Sequence, residues 1–148
     1  MNVLRLSYRP DDEWAGELFA TVESRGFTGR ASAWFGMKRL REFCALANGF
    51  PIGAGGDPTL EGGFWHDNGQ GLRQCHLHVS LSPHDRQGSI RVTVRLATPI
   101  WNGEETDLTQ SIEARFLATY GDVGSFFTSF SAMLDGHLEE ATLAAMPS

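Results

Sequence analysis

The sequence predicts an α+β domain, a single antiparallel β-sheet of six or seven strands with two helices packed on one face, in the order β-β-β-α-β-β-β-β-α. Three observations predict it. Most of the chain alternates apolar and polar residues with a period of two, as half-buried strands do. The period changes to helical spacing in two places only, each directly after a strand. Turn residues such as "PDDE", "HDNGQG" and "PHDRQG" punctuate the alternating runs.

Residues 2–8 (NVLRLSY) alternate and form the first predicted strand, closed by the turn at 10–13. Residues 14–24 follow, with Leu18, Ala20 and Val22 on one face. Past Gly26, residues 27–35 send Phe27, Ala31, Ala33 and Phe35 one way and Thr28, Arg30, Ser32 and Trp34 the other. Met37, Leu40, Phe43, Cys44 and Ala47 then recur at helical spacing, and Asn48-Gly49 before Pro51 stops that helix. The loop at 53–58 (GAGGDP) lacks the Gly-Lys-Ser/Thr ending of a phosphate-binding loop and opens no helix, so it reads as a connection. Strands at 59–65, 72–82, 88–98 and 109–119 come next, the middle two joined by a hairpin loop of His84 to Gln87. The last of them alternates Ile112, Ala114, Phe116 and Ala118. A second helix starts at about Asp122, its predicted N-cap. It presents Val123, Phe126, Phe127, Phe130, Met133 and Leu134 as one stripe and stops at Gly136. "FTGRASAWF" then "LREFCALANG" is echoed by "SIEARFLATY" then "FFTSFSAMLDG", each a strand feeding an amphipathic helix; shared binary pattern accounts for this as well as duplication does. Leu40, Phe43, Val92, Phe116, Phe126 and Phe130 are the expected shared core.

At 148 residues the chain is expected to be one domain, 1–148, with 137–148 a C-terminal tail. Its 41% hydrophobic content and 10 Phe suffice for one core and exclude the disordered class. No apolar run suits a signal peptide or a membrane span, and two cysteines are too few for a disulfide scaffold, so a soluble cytoplasmic location is expected. A net charge of −6 argues against nucleic acid as a partner, because such binding needs a basic footprint. Eleven of the twelve basic residues are arginine, which matters if several share a face.

"CHLHVSLSP" (75–83) poses the chemical question. If residue 82 pairs with 89, then 79 pairs with 92, 77 with 94 and 75 with 96. Cys75, Leu77, Val79 and Leu81 then face the core, and His76 and His78 lie outward beside Arg91, Thr93 and Arg95. The imidazoles would sit roughly 6–7 Å apart at Cα, close enough to share a zinc ion. A zinc site also needs a third and usually a fourth ligand, and no other histidine or cysteine falls within reach. His76 and His78 are therefore weak metal candidates, and no cofactor motif occurs. No Ser-His-Asp or Cys-His grouping has an identifying local motif.

Two surfaces are candidates for partner binding. One is the outward sheet face, with Trp34, Arg30, His76, His78, Arg91, Arg95 and Arg115, residue types enriched at binding hot spots. The other is the acidic turns, Asp11, Asp12 and Glu13 with Glu104, Glu105 and Asp107, which could steer a basic partner. The oligomeric state does not follow from the sequence.

"GFTGRASAWFGMKRLREFCALANG", "TLEGGF", "HLHVSLSPHDRQGSIRVTVRL" and "SIEARFLATYGDVGSFFTSFSAML" together resemble the WapI-type immunity-protein family of bacterial polymorphic toxin systems. The resemblance spans about residues 12 to 135. It rests on Gly-Phe-x-Gly before the first helix, on Leu40, Phe43 and Leu46 within it, on Gly88, Ile90 and Val92, and on the last strand-to-helix step. These are fold-forming positions, so no site residue follows from them. The resemblance implies a small cytoplasmic α+β protein that neutralises a cognate toxin domain, often a nuclease, by binding it without catalysis. The glycine-rich insert and the "WNGEETD" turn depart from the family pattern. A metal-dependent enzyme using His76 and His78, and a small-ligand carrier using the open sheet face, are the alternatives.

Overall fold

In the computed structural model, residues 1–47, 51–53 and 55–146 are described. The alternating segments become β1 (Asn2–Pro10), β2 (Ala15–Ser24), β3 (Phe27–Gly36), β4 (Thr59–Trp65), β5 (Leu72–Pro83), β6 (Ser89–Ala97) and β7 (Ser111–Thr119). The helices are α1 (Met37–Ala47) and α2 (Tyr120–Leu134), and a final strand, β8, spans Glu140–Ala145. The α+β class and the element order through α2 match the sequence reading. Among the described residues, no helix is long and apolar enough to cross a membrane.

The single sheet of six or seven strands is corrected. The strands form two four-stranded antiparallel sheets, ordered β3-β2-β1-β8 and β4-β5-β6-β7. The reason is coverage. Seven strands at ~4.8 Å spacing present an apolar face roughly 34 Å wide, whereas two helices side by side at an interaxial distance of about 10 Å cover near 20 Å. The two sheets instead bury much of their apolar faces on each other. Strand β3 runs across the inner face of the second sheet: Gly29 lies against Ile112 of β7, and Gly62 of β4 lies against Phe35 and Ala33. A Cβ on Gly62 would come 2.6 Å from Phe35 Cζ, so that close approach requires glycine.

β1–β2–β3 and β4–β5–β6–β7 are each an up-and-down meander whose last strand feeds a helix, β3 into α1 and β7 into α2. β8 returns after α2 to pair with β1, Asn2 opposite Ala145 through Ser7 opposite Glu140, and supplies the first sheet's fourth strand. The strand-and-helix echo is thus matched by two halves of like topology. The expected tail at 137–148 is corrected over 140–145, where Ala141, Leu143 and Ala145 are buried in the core.

The helices do not lie together on one face of one sheet. α1 contacts β3 and β4, α2 contacts β8, β1 and β7, and the two contact each other through Phe43, Phe127 and Phe130. Phe43 sits 5.2 Å from Phe127 and 5.8 Å from Phe130 between ring centroids, tilted or edge-on as aromatic quadrupoles favour. Leu40, Phe43, Val92, Phe116, Phe126 and Phe130 all lie in the shared core. The N-cap of α2 is Thr119, three residues before the expected Asp122. The two form a capping box, with Thr119 Oγ1 accepting from Asp122 N and Asp122 Oδ2 from Thr119 N, both at 3.0 Å. Gly136 (φ 82°) ends α2 as expected, its N–H reaching Met133 O while His137 N–H reaches Ala132 O, the Schellman pattern. The expected α1 stop at Asn48-Gly49 lies outside the described residues.

Candidate functional site

The β5–β6 hairpin sets the site, and its register is two residues from the expected one. Ser82 pairs with Arg91, Val79 with Val94 and Leu77 with Leu96. The tip causes this: Asp85 Oδ1 accepts from Gln87 N and Ser89 N, both at 3.0 Å, and Gly88 takes φ 92°, so the turn occupies 85–88. The N–H of Ser89, with that of Gln87, holds the Asp85 carboxyl below its ordinary pKa. A slip of two preserves the faces, so Leu77, Val79, Leu81, Ile90, Val92, Val94 and Leu96 are buried as expected.

The alternation breaks at His76. Gly62 pairs with Leu77 but Gly63 pairs with Cys75, so His76 is the extra residue of a β-bulge. Cys75, expected in the core, is exposed. His76, expected outward beside Arg91 and Arg95, is buried against Phe64, 4.5 Å between ring centroids, and Phe64 in turn packs on Trp101 at 4.8 Å. Gln74 locks this cluster: its side chain accepts from Ile100 N at 3.0 Å and donates to Ile100 O at 2.8 Å. With the amide so oriented, Gln74 Oε1 faces His76 Nε2 at 3.0 Å and that nitrogen must carry the proton. Desolvation pushes the His76 pKa below the ordinary value of 6.5.

His78 does point to the outer face, yet it is 7% exposed rather than solvated. One ladder row crosses the whole second sheet as Glu61, His78, Arg95 and Glu113, and the next as Thr59, Ser80, Thr93 and Arg115. His78 Nδ1 lies 2.8 Å from Glu61 Oε1, and His78 Nε2 lies 3.0 Å from Ser80 Oγ. The Glu61 carboxylate can only accept, so Nδ1 carries a proton and donates it to Oε1, while Nε2 is left to the Ser80 hydroxyl. Glu113 pairs with Arg115 and, at 3.8 Å, with Arg95. Arg91 donates to His84 Nδ1 at 3.2 Å near the hairpin tip.

The remaining sequence candidates lie elsewhere. Arg30 and Trp34 belong to the outer face of the first sheet, so the expected Arg/His/Trp face is divided between two sheets whose polar sides both turn away from one core. Asp11, Asp12 and Glu13 close the β1–β2 hairpin, where Asp12 Oδ1 accepts from Trp14 N and Ala15 N. Glu104, Glu105 and Asp107 lie in the β6–β7 connection, and Glu104 accepts from Trp101 N at 2.9 Å. His76 and His78 do not converge, and among the described residues no group of three or more His, Cys, Asp or Glu could hold a metal ion.

Sequence reasoning missed Glu61, Trp14, Trp65 and Trp101. Glu61 was findable, since it lies between Leu60 and Gly62 on a strand and must face outward. Four tryptophans occur in the chain, and all four are 51–73% exposed. Compared with known proteins, the chain matches no family model, no curated protein and no solved structure.

Proposed function

We propose that this chain is a non-catalytic binding protein that engages a protein partner, in the manner of an immunity protein neutralising a cognate toxin domain. The observation that carries this reading is the exposure of Trp14, Trp34, Trp65 and Trp101 together. Tryptophan is normally largely buried, and its exposure forfeits one of the largest hydrophobic contributions a side chain makes. At interfaces it is among the residues most enriched at hot spots. The net charge of −6 suits a basic partner such as a nuclease domain, whose substrate groove must attract phosphate. The sequence resemblance points to the same role. The test is co-expression with toxin domains encoded beside this gene, scored for growth rescue and co-purification. Rescue with a stable complex is expected; failure of every such domain to bind would remove the reading.

A second reading rests on Glu61, His78 and Ser80, whose order of contacts is that of a carboxylate–imidazole–hydroxyl triad. In it, His78 Nε2 takes the Ser80 proton as Oγ attacks an acyl carbon, then returns that proton to the leaving group. Against it stand the burial of His78 and the position of the trio on a sheet face rather than in a cleft. Labelling by a fluorophosphonate that is lost in Ser80→Ala would establish it, and absence of labelling would dismiss it.

A further inference from the structure

The outer face of the first sheet holds an open groove of about 630 Å³, walled at one side by Ala97, the last residue of β6, and by Thr98 and Pro99 after it. Its size is that of a small-ligand site. Register sets its chemistry. Thr21 of β2 pairs with Arg5 of β1 on one side and with Arg30 of β3 on the other, so the two arginines flank one hydroxyl in a single ladder row. Two strand spacings put their Cα atoms roughly 10 Å apart, a distance their long side chains can close from both sides.

These two arginines differ from Arg9, another arginine of the same face. Arg9 is engaged by Glu17 at 2.7 Å and lies over the Phe19 ring at 5.3 Å. Arg41, Arg95 and Arg115 each have a carboxylate. Among the described residues, Arg5 and Arg30 have no hydrogen-bonded or ion-paired partner, and both are exposed. The Ser32 hydroxyl is spent on Glu17 at 2.7 Å, whereas the hydroxyls of Ser7 and Thr21 face the groove with no partner among the described residues. Glu140 is the one carboxylate lining the groove, which leaves it net positive in a protein of net charge −6.

We propose that this groove binds a small phosphate-bearing molecule, its phosphate seated over Thr21 between Arg5 and Arg30. Guanidinium forks match phosphate oxygens in pairs, and the hydroxyls of Thr21 and Ser7 donate to those that remain. Phe19, half-buried on the groove floor, offers an apolar surface to the organic part. A nucleic acid fits poorly, because a protein of net charge −6 would repel a polyanion. The inference goes beyond the partner-binding reading and does not depend on it.

Calorimetric titration of the full chain with inorganic pyrophosphate and with a nucleoside monophosphate, at low salt, tests it. Saturable binding is expected. Arg5→Ala or Arg30→Ala should each weaken it at least ten-fold, as for a lost charge-assisted bond, and Thr21→Val about three-fold, as for a neutral one. Arg30→Lys should fall between, since it keeps the charge and loses the fork. Arg86→Ala, at the exposed β5–β6 tip, is the control and should bind like wild type. Absence of saturable binding would overturn the proposal. So would equal weakening in the Arg86 variant, which would mean diffuse attraction. Polyglutamate binding as tightly as either phosphate compound would reassign the groove to an acidic protein segment. Circular dichroism confirms that each variant is folded, and Arg30→Lys keeps the test decisive if an alanine variant is not.

Discussion

Gly63 of β4 faces Cys75 of β5, while its neighbour Gly62 faces Leu77. His76 is therefore the residue without a ladder partner, and the two histidines of the strand part company there. His76 enters an aromatic cluster with Phe64 and Trp101; His78 joins a polar row with Glu61 and Arg95. A same-strand i, i+2 pair of imidazoles available to one metal would need the unbroken alternation that this bulge removes.

The bulge makes the two thiols distinguishable. Cys75 is exposed and Cys44 is buried on α1, its Sγ 3.8 Å from Phe127 O. Native protein should take up one equivalent of iodoacetamide, at Cys75, and the second only in denaturant. Partial desolvation, and then Glu61, raises the Cys75 thiol above its ordinary range, so at pH 8 it should react more slowly than in the unfolded chain. Labelling of Cys44 first, read by peptide mass spectrometry, would refute the placement.

His76 should make stability depend on pH. Its folded pKa lies below the unfolded value of 6.5 because desolvation disfavours the cation. The unfolded chain then binds the proton more readily, so the contribution of neutral His76 is present above 6.5 and is lost as pH falls toward the folded pKa. Urea midpoints of wild type should drop between about pH 7 and pH 5, and the drop should be smaller in His76→Gln. Parallel curves for the two proteins would show that His76 does not titrate with folding.

β8 is structural rather than a tail. Leu143 is fully buried and pairs opposite Leu4, so Leu143→Ala should cost about 2–5 kcal/mol. The same substitution at exposed Leu138 should stay within about 0.5 kcal/mol. If the two variants melt alike, β8 does not pair with β1.

How much of this was legible follows from what each signal depends on. Strands and helices up to α2 could be placed because period two and period 3.6 are local properties, strong in "FTGRASAWF" and in the Phe126, Phe127, Phe130 stripe. β8 was missed because "EATLAA" is short and alanine-rich, although Ala141, Leu143 and Ala145 do alternate. The division into two sheets is not local: it depends on which apolar faces meet, through Gly29 against Ile112 and Gly62 against Phe35. The bulge left one trace, the Gly62-Gly63 pair on the partner strand, and strand glycines do mark such sites. Of the candidate site, the outward positions of Arg91, Arg95 and Arg115 were readable from alternation. That Trp34 lies on a different sheet from them was not.

Partner binding separates the remaining surfaces by kinetics. Trp14 and Trp34 lie at the end of the first sheet where Met37 N, opening α1, donates to Trp14 O. Trp101 lies in the β6–β7 connection on Phe64, beside Glu104. If the partner docks on the first group, Trp34→Ala should speed dissociation by about thirty-fold, the size of a 2 kcal/mol hot spot, and leave association nearly unchanged. Docking on the second should give that result for Trp101→Ala instead. Arg91→Ala would show it only if the hairpin face of the second sheet is the interface. Neutralising Glu104, Glu105 and Asp107 should slow association and flatten its salt dependence wherever the anchor lies, because steering acts before contact. Surface plasmon resonance with a partner domain that co-purifies resolves the two rates. Wild-type rates in every tryptophan and arginine variant would mean that neither exposed aromatic group nor the hairpin face is the anchor.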